Sequence, residues 1–415
     1  MDKNLITDSD CKNRTQCCHP SLWPRLALFL YSPFAWTAAD AGDFLQPFVN
    51  ESITYDSNLY RLSPDGQLGA GSQKDDFINR ASAGGRIHKT LSRQVFDLDL
   101  RVDDNRYAAN QLLNHVSTLN SAVWNWQVNH NWSGKLGAEF SRSLAGFANT
   151  QFLSQDLLDQ PDYYFDARYQ LNSSWRLDGG WRRTETVHSA ASRQNQNIES
   201  QTGHGGVTFL TSRGNSVGVE YRHTDAQFPL RQLSFAPGAQ DIAYQENSTR
   251  ALLKYVYSSK LRFEGQAGYL LRSHPNLSAR DFQGEIWRIS MDWAPTVKTL
   301  VTVSSWHELT AFTELASSYY VSEGVSVAPS WVVTEKIVLS GQARMETQDH
   351  TGNDITIPGL ALRQDELFSA QVSASYTPAH FAELNLAYQF YQRDSNRQFF
   401  SYVGDSITAT VQLKF

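Results

Sequence analysis

The chain ends Ser406-Ile-Thr-Ala-Thr-Val-Gln-Leu-Lys-Phe415, and the reading of these ten residues decides the fold. Ile407, Ala409, Val411, Leu413 and Phe415 fall on one face of an extended chain; Thr408, Thr410, Gln412 and Lys414 fall on the other. Successive side chains of a strand point to opposite faces. The segment therefore reads as a strand with one greasy and one polar face.

The same period of two recurs upstream. Leu384, Leu386, Tyr388 and Phe390 interleave with Asn385, Ala387 and Gln389. Ile337, Leu339, Gly341, Ala343 and Met345 interleave with Ser340, Gln342, Arg344 and Glu346, and Leu261, Phe263, Gly265, Ala267 and Tyr269 with Arg262, Glu264 and Gln266. Val217, Val219 and Tyr221 alternate with Glu220 and Arg222; Trp175, Leu177, Gly179 and Trp181 alternate with Arg176, Asp178 and Arg182. Phe96, Leu98, Leu100 and Val102 alternate with Asp97, Asp99 and Arg101.

Short turn signals fall near residues 91, 132, 173, 214, 259, 296, 334 and 379, such as Arg213-Gly-Asn215 and Ala294-Pro-Thr296. Longer polar stretches lie between them at 147–160, 189–200, 228–242, 309–317 and 348–363. Each repeat is two long strands, one tight turn and one long loop. With a first strand near 46–60 and a last near 401–415, the count is about 18 strands. An even count puts both termini on the short-turn side, the periplasmic side of a bacterial outer-membrane barrel. A repeat of about 41 residues also fits a β-propeller, but a blade needs four short strands where this chain supplies two long ones.

Composition excludes several alternatives. Residues AVILMFWYC make up 41% of the chain and mean hydropathy is -0.44, with no repeated runs of apolar residues long enough for helical spans. Aromatics at 12% argue against disorder. Lys+Arg of 36 against Asp+Glu of 42 gives a net charge of -6 and no basic excess for nucleic acid.

Residues 1–41 read as a signal peptide with a long n-region. Arg25 precedes the apolar stretch Leu26-Ala-Leu-Phe-Leu-Tyr-Ser-Pro-Phe-Ala-Trp36, and Ala39-Asp40-Ala41 has the small-x-small pattern of a cleavage site. A buried N-terminal helix is the alternative. Cys11, Cys17 and Cys18 all precede that site, so residues 42–415, read as one barrel domain, contain no cysteine. That suits an oxidising compartment.

A soluble sandwich would pack its apolar face on a second sheet. In a membrane that face meets lipid, which cannot satisfy backbone polar groups, so the sheet must close. The export signal and the aromatics beside the short turns favour lipid. Trp132, Trp175, Trp293, Trp331, Tyr376, Phe381 and Phe415 are candidates for a girdle at the headgroup boundary. The opposite face offers lumen-lining candidates of both signs: Arg101, Arg176, Arg182, Arg222, Arg262 and Arg344, with Asp97, Asp99, Glu139, Asp178, Glu220, Glu264 and Glu346. Guanidinium groups there suit either contacts to an acidic polymer or cross-strand ion pairs that shape the wall.

Catalytic signatures are missing. The 11 histidines form neither H-x-x-x-H nor H-E-x-x-H, no P-loop pattern occurs, and the G-x-S-x-G match Gly214-Asn-Ser-Val-Gly218 sits at a tight-turn signal between two alternating strands rather than at a strand-to-helix turn, so no enzyme activity, metal or cofactor is expected. Gly203-His-Gly-Gly206 lies within a predicted strand. The adjacent pairs His188-Ser189 and Ser305-Trp-His307 are the nearest approach to a hydrolase.

Several segments resemble the EpsL family, outer-membrane proteins encoded with exosortase/PEP-CTERM-associated exopolysaccharide genes. They are Ser52-Ile-Thr-Tyr-Asp-Ser-Asn-Leu-Tyr-Arg-Leu-Ser-Pro-Asp65, Ser189-Ala-Ala-Ser-Arg-Gln194 and Arg213-Gly-Asn-Ser-Val-Gly-Val-Glu-Tyr-Arg-His-Thr-Asp225. Arg280-Asp-Phe-Gln-Gly284 leading to Trp293-Ala-Pro-Thr296, Tyr320-Val-Ser-Glu-Gly-Val-Ser-Val-Ala-Pro-Ser-Trp331 and the C-terminal strand also fit. The likeness covers most of 44–415 and consists of strand and turn signatures. It implies a Gram-negative outer-membrane protein that moves exopolysaccharide across that membrane, with a periplasmic polysaccharide export or co-polymerase protein as partner. The terminal aromatic strand resembles the signal read by the barrel-assembly machinery. A general porin and a surface polysaccharide-binding scaffold are the alternatives.

Overall fold

The structure, a computed structural model, describes residues 45–69, 72–149, 152–230, 242–311, 319–351 and 362–415. The signal segment and its cleavage site lie outside the described residues.

Alternating sequence becomes strand throughout. The ring begins with β1 (Leu45–Asp56), β2 (Asp76–Leu91), β3 (Gln94–Tyr107), β4 (His115–Gln127), β5 (Trp132–Leu144) and β6 (Leu157–Gln170). It continues through β7 (Trp175–His188), β8 (Ile198–Leu210), β9 (Ser216–Gln227), β10 (Tyr244–Ser258), β11 (Leu261–Ser273) and β12 (Phe282–Thr296). The last third is β13 (Thr299–Ala311), β14 (Tyr319–Thr334), β15 (Ile337–Thr351), β16 (Gln364–Ala379), β17 (Ala382–Ser395) and β18 (Tyr402–Lys414). Each strand pairs antiparallel with its neighbours in sequence, and β1 pairs with β18, so the 18-stranded sheet has no free edge. At the closing seam Phe48 lies opposite Lys414 and Asp56 opposite Ser406. The Thr54 and Thr408 hydroxyls bond at 2.9 Å, and the Phe415 N–H donates to the Pro47 carbonyl at 2.9 Å.

Short connections join β2–β3, β4–β5 and every second pair thereafter, each at a turn position expected from sequence. Both ends of the ring, Leu45 and Lys414, lie on that side. Three of these turns interlock by one repeated device. Lys260, Lys298 and Lys336 donate through Nζ to the carbonyls of Pro295, Val333 and Pro378 in the next hairpin, at 3.2, 3.3 and 3.0 Å.

The longer loops differ from the expected polar stretches at their edges. Residues 157–160, 198–200, 309–311 and 348–351 belong to strands, which run on past the apolar band with polar outward residues such as Asp159, Glu199 and Asp349. The first strand stops at Asp56 rather than near 60, because Asn58 turns the chain inward. Fully buried, it donates to the carbonyls of Leu62 and Val403 and accepts from the Leu62 N–H, all at 2.9 Å.

The two faces of the wall are chemically distinct. Val403, Ile407 and Val411 stand exposed on the outer face of β18, while Tyr402 and Gln412 are buried on the inner one. Inward positions elsewhere bury Arg272, Trp306, Asp365 and Arg393 almost completely. Apolar side chains left exposed and charged ones buried invert the soluble arrangement, and hydrocarbon outside with water inside accounts for it.

Candidate functional site

The expected girdle residues share one end of the barrel. Trp132, Trp175, Trp293, Trp331, Tyr376, Phe381 and Phe415 are all exposed, at or next to the short turns. Trp132 lies tilted against Tyr169 with ring centres 4.7 Å apart, and Trp175 meets Phe209 edge-on at 5.1 Å.

Every charged residue singled out in the sequence sits on the inward register, and the arginines are in ion pairs. Strand residues two apart share a face, which explains the commonest pairing. Arg101 donates to Asp103 at 2.6 and 2.9 Å, Arg176 to Asp178 at 2.8 Å, and Arg222 to Glu220 at 2.9 Å. Arg344 bonds Glu346 through Nε at 2.9 Å. The other pairs reach across strands. Arg182 Nε meets Asp162 at 2.8 Å, and Arg262 meets Asp292 at 2.5 Å with Glu264 3.9 Å away. Glu264 also faces Lys254 at 3.6 Å, and Asp178 accepts from Thr208 at 2.9 Å. The wall is thus dense in donors and acceptors whose charges are locally cancelled.

Sequence reasoning missed the most enclosed members of this wall. Trp306 on β13 is 1% exposed and lies between two guanidinium groups, with Arg344 4.2 Å and Arg288 5.1 Å from its ring centre. Its indole N–H donates to Ser322, which donates on to Glu346 at 2.8 Å. A buried tryptophan on the polar face breaks the alternation rule, so periodicity alone passes over it. Arg250 and Arg272 were legible as inward positions in register with Glu246 and Lys254 on one side and Glu264 and Gln266 on the other.

The end opposite the short turns is narrowed by loops. Leu59, Tyr60 and Leu62 from the β1–β2 loop pack with Tyr107, Leu113 and Phe147 into a small apolar core, Tyr60 and Phe147 ring centres 4.8 Å apart. Arg61 lies 3.8 Å above the Tyr391 ring and is paired with Asp56 at 3.0 Å. Arg393, fully buried, donates to the Ala148 carbonyl and to Asn149 Oδ1 at 2.7 Å. Ala148 and Asn149 belong to the β5–β6 loop, which β18 and β1–β4 separate from β17 around the ring, so that loop crosses the mouth. Beside the mouth, burial and the neighbouring Arg272 lower the His274 imidazole to about 4.

Neither adjacent Ser–His pair forms a nucleophile and base. Ser305 Oγ donates to the Gly324 carbonyl at 3.0 Å, and His307 faces Glu323 at 3.7 Å. His188 Nδ1 is held by Asp156 at 2.6 Å, and Ser189 Oγ accepts from the Leu157 N–H.

A closed antiparallel ring, greasy outside and charged within, defines a porin-like β-barrel of a Gram-negative outer membrane. Comparison with known proteins gives the same class. Residues 250–415 match the family model described as "Putative beta-barrel porin 2". The fold is similar to that of OccK2 (OpdF) from Pseudomonas aeruginosa, with 8% identity, a TM-score of 0.50, and 89% of this chain and 98% of that chain covered. A BenF-like porin from Pseudomonas fluorescens Pf-5 is similar at 9% identity and a TM-score of 0.49, covering 89% of this chain and 99% of that one. These likenesses speak to the fold alone. No curated protein matches the chain.

Proposed function

We propose that the barrel is a conduit for exopolysaccharide across the outer membrane. The carrying observation is the inner wall, where Arg101, Arg176, Arg182, Arg222, Arg262 and Arg344 are matched to carboxylates that include Asp178, Glu220 and Glu264. A conduit must attract its cargo enough for entry yet release it. Paired charges offer a hydroxyl-rich chain many weak hydrogen-bonding partners and few isolated charges to trap it. Barrels of 16–18 strands are wide enough for an aqueous channel. The segments similar to the EpsL family supply the cargo, and with it a periplasmic export or co-polymerase partner. On this reading the exposed aromatics at the short-turn end seat the barrel in lipid, and the terminal strand with Phe415 is its address for the assembly machinery.

A clean deletion of the gene should leave polymer in the periplasm, and normal surface polymer in the deletion strain would sink the reading. A second reading, a porin for small solutes, is favoured by one observation, the β5–β6 loop tied across the mouth by Arg393. Planar-bilayer recordings separate the two. Steady unselective conductance in small salts, unaffected by added polymer, supports the porin; current blocked by the polymer supports the conduit.

A further inference from the structure

The lysine-tied turns carry a charge that their tie does not use. Ser258-Ser-Lys260, Thr296-Val-Lys298 and Thr334-Glu-Lys336 close three successive hairpins in one way. In each, the hydroxyl accepts from the lysine backbone N–H at 3.2 Å. The lysine carbonyl accepts from the N–H of Ala294, Val332 or Thr377 on the next hairpin, at 2.7, 2.8 and 2.8 Å. The ammonium then donates to the carbonyl one residue further on. Each of these stretches follows a girdle aromatic, Trp293, Trp331 or Tyr376. The same unit, a fixed ammonium beside an interfacial ring, thus occurs three times between β10 and β17.

Elsewhere on the rim the same tie is neutral. At the β4–β5 turn the Asn131 carbonyl accepts from the Gln170 N–H at 2.8 Å, and the Asn131 amide donates to the Gln170 carbonyl at 2.6 Å, beside Trp132 and Tyr169. An amide therefore suffices to staple neighbouring hairpins, and what the lysines add is charge. All three are exposed, and among the described residues none is in an ion pair. Glu335 is the one acid in the three turns, so a net positive charge remains there. Each ammonium has three donors and spends one on its tie.

An acidic soluble chain and an anionic lipid both carry the complementary charge. The rings favour lipid, because Trp293, Trp331 and Tyr376 are exposed on the outer face, where such side chains sit at headgroup level. Successive units are two strands, or about 10 Å, apart, which lets each take its own headgroup. We propose that the β10–β17 arc of the short-turn rim is a docking surface for anionic phospholipid, each lysine holding a headgroup phosphate and the ring beside it the glycerol and upper acyl chain. The surface gathers such lipid on one side of the barrel and stands whatever the bore transports.

Quenching of tryptophan fluorescence by lipid brominated in its acyl chains tests this in the folded barrel reconstituted into phosphatidylcholine vesicles. Brominated phosphatidylglycerol should quench more than brominated phosphatidylcholine at equal mole fraction. The excess should disappear at about 1 M salt, where the Debye length is about 3 Å. A lysine near the surface favours anionic lipid by about fivefold, so Lys298→Gln should weaken the preference by about that factor. Replacing Lys260, Lys298 and Lys336 together by glutamine should abolish it, and replacing them by arginine should preserve it. Arg93→Gln, in the β2–β3 turn away from the arc, should change it by less than about twofold. Equal quenching by the two lipids would overturn the proposal and leave the lysines to a soluble acidic partner. An excess that survived either high salt or the loss of all three ammoniums would overturn it too. The salt comparison needs only the wild-type chain and so holds even if a variant does not fold.

Discussion

Trp306 shows at the scale of one residue how a barrel interior can be both polar and packed. Its ring is enclosed by the guanidinium groups of Arg288 and Arg344, and its N–H opens the chain Trp306–Ser322–Glu346. Space for it comes from Gly324 on the next strand, where a Cβ would lie 2.6 Å from the Met345 carbonyl oxygen and 2.9 Å from Trp306 Cε2. Trp306→Ala should therefore cost about 3–5 kcal/mol, as large-to-small core changes do. Trp306→Phe keeps most of the ring and should cost about 1 kcal/mol for the lost hydrogen bond. Gly324→Ala should destabilise by about 1–3 kcal/mol through overpacking. Urea unfolding in lipid vesicles, followed by tryptophan fluorescence or by heat-modifiable mobility for the Trp306 variants, checks all three. Ser92 offers an opposite case. In the two-residue β2–β3 turn it holds φ 58, a left-handed conformation that suits glycine. Ser92→Gly should stabilise that hairpin by about 1 kcal/mol in the same assay. Alternation reveals which residues face inward, but not which of them meet, because Trp306, Ser322 and Glu346 come together only through strand register.

Among the elements, β17 is the anchor of the mouth. Its Tyr391 holds Arg61 of the β1–β2 loop, and its Arg393 holds Ala148 and Asn149 of the β5–β6 loop. Arg393→Ala removes the tie across the opening and leaves Asp365, 3.6 Å away, with one guanidinium fewer. A larger single-channel conductance in planar bilayers is expected, with a stability loss of at most about 3 kcal/mol because Arg363 still pairs with Asp365. An unchanged conductance would show that the loop does not narrow the bore. The β11–β12 loop should respond to pH. Burial, with Arg272 beside it, holds His274 at about 4 against an ordinary 6.5. The folded value lies below the unfolded one, so the neutral form stabilises the docked loop fully above about pH 6.5. That stability is lost as pH falls toward 4. Hydrogen exchange across residues 274–281 should quicken between pH 7 and pH 4.5 after correction for intrinsic rates, and His274→Gln should flatten the change. These loops were the least legible elements. The contacts 61–391 and 148–393 join segments far apart in sequence and leave no local signature.

For the whole molecule, the turns carried the information. A tight turn is written in a few adjacent residues, such as Arg213-Gly214-Asn215, where Gly214 takes φ 80. The eight turn signals with their flanking alternation therefore yielded the strand number, while strand ends shifted by a few residues where polar outward positions run on above the apolar band. An even-numbered ring returns its C-terminus to the side of its N-terminus, and the short turns lie on that side. Orientation follows from the asymmetry of outer-membrane barrels, with short turns in the periplasm and long loops outside. Residues 42–415 contain no cysteine, so in a chain expressed with Cys11, Cys17 and Cys18 replaced by serine a single introduced thiol reports its own side of the membrane. Ser278 is exposed in the β11–β12 loop and Glu335 is exposed in the two-residue β14–β15 turn. Ser278→Cys should react with a membrane-impermeant maleimide on intact cells. Glu335→Cys should react only once the outer membrane is permeabilised. The reverse pattern would invert the barrel and place the Arg393-tied mouth in the periplasm. Reaction of both thiols on intact cells would mean that the ring does not span the membrane, and the conduit would fall with it.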